Sequence, residues 1–201
     1  PGSLVAGATP NTTIQFTTAN PIPVGGRIVV AFPSGFNISS AAGSTPTGNS
    51  GASVSVSGQD LTITLGTQVG TSAAPVAAVS IGVPGIKNPT VTGAAGTYAI
   101  ETRDASASPM PIDRGTAAAN TITAGALGGP ANVQPASLLA GATGNVTVTF
   151  TTANPIPANG KIVVTFPTSL GSGFVLDAAG AGTTAVSSST VSNLTASVSG
   201  S

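Results

Sequence analysis

Residues 3–33 read SLVAGATPNTTIQFTTANPIPVGGRIVVAFP, and residues 137–167 read SLLAGATGNVTVTFTTANPIPANGKIVVTFP. The two copies match at 22 of 31 positions, at a constant offset of 134 residues. The substitutions keep chemical type, as in Ile14 to Val148 and Arg27 to Lys161. Self-similarity at a fixed period is the signature of repeat proteins, so the sequence predicts modules in tandem.

Apolar side chains alternate with hydroxyl-bearing ones in both copies. This period of two gives a β-strand one apolar and one polar face. The alternation continues from residues 12–17 into residues 27–32 in the first copy, until Pro33 removes a ladder donor and ends the strand. We expect five inward-facing side chains of the first copy to be buried: Ile14, Phe16, Ile28, Val30 and Phe32.

Short strands are predicted along the whole chain, each bounded by Gly, Pro, Asn or Asp, and no helix is predicted. The SGQD tetrapeptide at residues 57–60 is typical of a hairpin turn. Many short strands with regular turns favour a sandwich or a barrel. The predicted strands are residues 12–17, 27–32, 53–57, 61–65, 76–82, 97–102, 120–124 and 146–151.

The repeat defines the predicted domains. Residues 1–127 form a first β-sandwich repeat, residues 128–136 a Gly/Pro linker, and residues 137–201 a second, incomplete repeat. The second copy contains no counterpart of residues 59–127, while the SVSG of residues 55–58 recurs at residues 197–200. We therefore expect the chain to be a window onto a longer protein, with the second module completed in cis or in trans.

The segment ANPIP occurs unchanged at residues 19–23 and 153–157. Its two prolines exclude helix and favour extended, polyproline-like geometry. The segment is interpreted as a rigid connector between strands, and the alternative is a proline motif that docks on another protein.

Composition excludes several classes of function. Only 5% of the residues are charged and the net charge is zero, so the clustered Lys and Arg of a nucleic-acid-binding surface are missing. No stretch reads as a membrane span. Low charge weakens self-repulsion and favours association with neighbouring copies.

Catalytic chemistry has little support in this sequence. The chain contains neither His nor Cys, the commonest general base and the thiolate nucleophile. Glu101, Asp104 and Asp113 form the one acidic cluster, with Arg103 and Arg114 beside them. Ion pairing is the favoured interpretation, with a calcium site and paired catalytic carboxylates as alternatives. We predict a non-enzyme without catalytic residues, metal or cofactor.

Asn-X-Ser/Thr sequons mark four candidate N-glycosylation sites. Two of them occupy equivalent positions in the two copies, so they would present glycans alike. The four asparagines are Asn11, Asn37, Asn145 and Asn193.

Residues 16–39, FTTANPIPVGGRIVVAFPSGFNIS, and residues 85–104, GIKNPTVTGAAGTYAIETRD, resemble repeats of very large secreted or cell-surface proteins of algae, other protists and bacteria. The resemblance implies all-β, antiparallel immunoglobulin-like β-sandwich modules in tandem. It further implies an extracellular structural protein of a filament, sheath or stalk, whose partners are other repeats. The alternative is an adhesin or glycan-binding module that uses exposed loops such as residues 41–51.

Overall fold

The computed structural model of the chain describes residues 1–118, 120–167 and 174. Backbone contacts divide the chain into two compact units, Pro1–Ile156 and Pro157–Ser201. Within the described residues the regular structure consists of β-strands and one short 3-10 turn, Ser39–Ala41, with no α-helix. The prediction of an all-β protein is therefore confirmed.

The described residues form eleven strands, and all ladders between these strands are antiparallel. Three predicted strands agree with the structure at both ends, whereas the strands at residues 93–94, 111–117 and 128–135 were not predicted. The strands are β1 (Thr12–Thr17), β2 (Arg27–Ala31), β3 (Ser53–Ser57), β4 (Asp60–Thr64), β5 (Ala78–Val83), β6 (Gly93–Ala94), β7 (Tyr98–Arg103), β8 (Pro111–Ala117), β9 (Thr121–Ile122), β10 (Gly128–Pro135) and β11 (Val146–Thr151).

The largest sheet has five strands in the order β3-β4-β2-β7-β8. A two-residue turn joins β3 to β4, with Ser57 opposite Asp60. Gly58 sits in this turn at a φ of 59°, a left-handed conformation that costs glycine least. The predicted hairpin is confirmed. The other sheets are pairs of strands: β1 with β5, β6 with β9, and β10 with β11.

One hydrophobic cluster unites the five-stranded sheet with the β1–β5 pair. Ile28 and Val30 of β2 lie opposite Ile63 and Leu61 of β4, and all four side chains are buried. Burial of each such side chain stabilises the fold by about 1.5–3 kcal/mol, an upper range because unfolded chains already bury part of their apolar surface.

Four of the five side chains predicted to be buried are buried: Ile14, Ile28, Val30 and Phe32. The prediction for the fifth, Phe16, is wrong in degree. Its side chain is only partly buried and packs against the cluster near the end of β1.

Aromatic rings close one part of the cluster. The ring of Phe32 meets those of Phe36 and Tyr98 edge-on, at centroid distances of 5.6 and 5.3 Å. Edge-to-face contacts of this kind add about 0.5–1.5 kcal/mol beyond area burial.

The two copies of the repeated sequence share local conformations. Gly7 and Gly141 have φ values of 70° and 74°, and the equivalent positions Gly25 and Asn159 have 75° and 64°. Two backbone hydrogen bonds also recur at 2.9 Å, with an offset of 134 residues: Gly2 N to Asn11 O with Ala136 N to Asn145 O, and Gly26 N to Pro23 O with Gly160 N to Pro157 O.

Burial differs between the copies. Ile22 and Ile28 are 0% exposed, whereas their counterparts Ile156 and Ile162 are 41% and 49% exposed. The strands that cover the first copy, β4, β5 and β7, belong to the part of the sequence that the second copy lacks. The predicted counterpart of residues 55–58, at residues 197–200, lies outside the described residues.

Candidate functional site

The first polar cluster joins β8 to the ANPIP segment of the first copy. Asp113 Oδ2 accepts hydrogen bonds from the backbone N–H groups of Ala19 and Asn20, both at 3.1 Å. Its Oδ1 accepts one from Asn20 Nδ2 at 2.7 Å. The carboxylate thus gathers three donors from a segment more than 90 residues away in sequence.

The same ANPIP segment is also anchored by its apolar side chain. Ile22 is fully buried, and its backbone exchanges two hydrogen bonds with Val69, at 2.8 and 2.9 Å. A segment held at Asn20 and again at Ile22 has little freedom to move. These contacts support the rigid-connector interpretation for the first copy.

A second polar cluster surrounds Glu101 on β7. Arg103 Nε pairs with Glu101 Oε1, and Arg114 Nε lies 2.7 Å from Oε2. The hydrogen bond from Arg114, followed by the hydrogen bond and the charge of Arg103, holds the pKa of the Glu101 carboxyl below its usual value. The acidic residue is neutralised by both arginines, as the ion-pairing interpretation expects.

Asp104 organises the loop between β7 and β8. Its Oδ1 accepts hydrogen bonds from Ser106 Oγ at 2.8 Å and from the backbone N–H of Met110 at 2.9 Å. The Ser106 hydroxyl and the Met110 amide are the main reasons that the pKa of this carboxyl is lowered.

The acidic cluster of the sequence is therefore not one site. Glu101, Asp104 and Asp113 each bind different partners. Within residues 1–118, 120–167 and 174, no three His, Cys, Asp or Glu side chains are grouped so that they could hold a metal ion.

Three of the four sequon asparagines are exposed: Asn11, Asn37 and Asn145. Asn37 Oδ1 accepts hydrogen bonds from the hydroxyl and the backbone N–H of Ser39, at 2.7 and 3.1 Å. Asn11 directly precedes buried Thr12. Asn193 lies outside the described residues.

The loop of residues 41–51 is tied to the module at several points. Thr47 exchanges backbone hydrogen bonds with Gly82 of β5, at 2.9 and 3.1 Å. Asn49 is buried, and its side chain bonds to the backbone of Gly66 and Thr67 at 2.9–3.0 Å. The most polar side chain of the loop is thus used inside the module.

The third cluster lies where the two copies join. The segment interpreted as a Gly/Pro linker forms β10 and pairs with β11, from Asn132 opposite Thr149 to Pro135 opposite Val146. A register shift lies between Gly128 and Asn132. The connection between the copies is therefore an ordered, hydrogen-bonded strand.

A side chain from the second ANPIP segment contacts the first copy. Asn154 Nδ2 donates a hydrogen bond to the backbone oxygen of Ala6, at 2.9 Å. A Cβ at Gly7 would lie 1.7 Å from Asn154 Oδ1, so only glycine leaves room for this contact. The counterpart of Asn154 in the first copy is Asn20, which bonds to Asp113 instead.

Sequence reasoning missed this junction. Glycine and proline in residues 128–136 indicated a linker, and nothing in the ANPIP segment indicated that Asn154 would contact Ala6. The sequence repeat itself was the one usable signal, because an Asn kept in both ANPIP copies indicates a polar contact at each.

None of the helical structure among the described residues is long and apolar enough to cross a membrane. Comparison with protein-family models, with curated proteins and with solved structures found no match, so the contacts described above carry the functional argument.

Proposed function

We propose that this chain is a non-catalytic structural segment of an extracellular filament, sheath or stalk protein, built from immunoglobulin-like β-sandwich modules in tandem. Each module corresponds to one period of 134 residues. In this proposal mechanical load passes along the chain from one module to the next. The binding partners of each module are the neighbouring repeats.

The observation that carries the proposal is the paired connector. A flexible tether between independent domains would leave its backbone to water, but β10 is hydrogen-bonded along β11. Asn154 adds a side-chain bond back to Ala6. The ladder ties the connector to β11, and the Asn154 bond ties the second ANPIP segment to the first copy. A connector held in this way suits a shaft better than a string of freely jointed beads.

The use of polar groups supports the same proposal. Glu101 is neutralised by arginines, Asp113 holds the ANPIP segment, and Asn49 bonds to a neighbouring turn. These groups stabilise the module. Glycans attached at the exposed sequons would add solubility to a surface that carries few charges.

Localisation tests the proposal most directly. Antibodies raised against this chain are applied to intact source cells and to thin sections of the same cells, and are visualised by gold-label electron microscopy. We expect label repeated along an extracellular fibre, sheath or stalk, and loss of label when the antibody is first absorbed with the purified chain. Label confined to the cell interior would contradict the proposal.

A second experiment tests the shaft. Arrays of residues 1–134 joined end to end are compared by X-ray scattering with matched arrays in which residues 128–134 read GSGSGSG. We expect the natural arrays to scatter as rods and the altered arrays as flexible chains. Flexible natural arrays that bind a glycan surface would favour the adhesin alternative instead.

A further inference from the structure

Strand β1 is paired along one edge and open along the other. Thr18 N donates to Ala77 O at 3.0 Å, in register with the β1–β5 ladder. Because successive residues of a strand point their backbone groups to opposite edges, Ile14 and Phe16 face β5 while Thr13, Gln15 and Thr17 face away. Among the described residues, no strand pairs with this second edge.

The counterpart of β1 in the second copy, β11, is paired along that other edge. Ala136 N donates to Asn145 O at 2.9 Å, in register with the β10–β11 ladder. Thr147 and Thr149 therefore face β10. They are the counterparts of Thr13 and Gln15 at an offset of 134 residues. The chain thus shows, on β11, an occupant for the edge that is open on β1.

Residues 1 and 2 of the first copy already lie where the end of β10 and Ala136 lie in the second copy. Gly2 N donates to Asn11 O at 2.9 Å, the same bond that Ala136 makes to Asn145. Pro1 occupies the position of Pro135 in the repeat. Residues 1 and 2 therefore enter the open edge of β1 in the same way as β10 approaches β11.

We propose that the open edge of β1 is a docking site for the connector strand of another module, a segment of the Gly128–Pro135 type. This deepens the proposed function and rests on it for the source of the connector. When the connector pairs with β1, it adds one strand to the β1–β5 sheet. Each module thus takes up the connector of its neighbour as a sheet strand.

The chemistry of the edge fits such an occupant. Exposed edges are usually blunted by charges, prolines or bulges, but β1 reads TTIQFT and carries none of these. The occupant also accommodates Pro135 without loss of a ladder bond. Pro135 lies opposite Val146, at a position where backbone groups point away from β11, so the missing N–H loses no ladder bond.

Hydrogen exchange tests the docking site on the full chain. Three proteins are compared: the chain itself, the chain with GGPANVQ joined ahead of Pro1, and a control with GSGSGSG joined there. We expect the amides of Thr13 and Gln15 to exchange at least about tenfold more slowly in the GGPANVQ protein alone. Val30 and Ile63 amides report whether the fold is intact in all three.

Two variants sharpen the test. Gln15→Pro removes an N–H that faces the open edge and is expected to abolish the protection of Thr13. Gln15→Thr places the residue that the second copy has at position 149 and is expected to keep it. Should an extended protein fail to fold, a free GGPANVQPA peptide added to the unextended chain must shift the Thr13 and Gln15 amide signals.

Unchanged exchange in the GGPANVQ protein, equal slowing by both extensions, or no peptide shift would overturn the docking site. These outcomes are separable from failure of the proposed function. Rod-like arrays without Thr13 protection would remove only the docking site, whereas protected Thr13 in flexible arrays would remove only the shaft.

Discussion

Asp113 is the side chain whose removal should loosen the ANPIP segment most. In Asp113→Ala the segment loses two backbone bonds of 3.1 Å and one side-chain bond of 2.7 Å. Hydrogen bonds to a charged group contribute about 1.5–3 kcal/mol net. Since Ala19 and Asn20 are exposed and can turn to water, we assign that range to the whole set of three.

Asn20→Ala removes only the 2.7 Å bond and should cost about 0.5–1.5 kcal/mol. The double variant should cost about as much as Asp113→Ala alone, because the Asn20 side chain contributes through Asp113. Asp60→Ala is the matched control. Within the part of the chain that the structure describes, the exposed Asp60 side chain makes neither a hydrogen bond nor an ion pair, and its replacement should change stability by under about 0.5 kcal/mol.

Urea unfolding followed by tyrosine fluorescence measures these costs. The chain has one tyrosine and no tryptophan, and Tyr98 lies buried against Phe32 and Phe36, so the signal reports on the first module. A loss of about 2 kcal/mol lowers the midpoint by roughly 1 M urea. Fully additive effects of Asp113→Ala and Asn20→Ala, or a midpoint for Asp113→Ala equal to that of Asp60→Ala, would refute the reasoning.

Three further outcomes are expected. Leu61→Ala, at a fully buried position, should cost about 2–5 kcal/mol in urea unfolding, whereas Val76→Ala, 64% exposed, should cost little. The pKa of Glu101 is lowered in the folded state. The stability that its charge contributes is therefore present above the unfolded pKa of about 4.3 and is lost as pH falls through the folded pKa. The difference in unfolding free energy between wild type and Glu101→Gln should shrink on acidification below about pH 4. Glycans on native material should map by peptide mass to the exposed sequons, and peptides with bare asparagine at every sequon would exclude glycosylation.

Local alternation allowed much of the fold to be predicted. The strands β1, β3 and β11 agree with prediction at both ends, because apolar and hydroxyl side chains alternate within them. Strand β8 reads PIDRGTA and has no such alternation; it is a strand because β7 pairs with it, through a register shift at Arg103. Pairing likewise makes a strand of β10, whose glycines and prolines indicate a linker.

The polar contacts were less predictable than the strands. Ion pairing of Glu101 follows from arginines nearby in sequence, whereas the partner of Asp113 is an ANPIP segment that only the folded chain brings close. The contact of Asn154 with Ala6 spans 148 residues. Such contacts depend on the arrangement of whole strands, which a single sequence does not encode locally.

The placement of the basic residues has a consequence for proteolysis. The chain has five Lys and Arg, the only residues after which trypsin cuts. Arg27, Arg103 and Arg114 lie in the adjacent strands β2, β7 and β8, and Lys87 exchanges backbone hydrogen bonds with Asn37. A protease must draw an unpaired, extended segment into its cleft. Lys161 is exposed and lies outside the described strands, so we expect trypsin to cut first after this residue. The paired backbone at the other four basic residues keeps the first module intact under the same treatment.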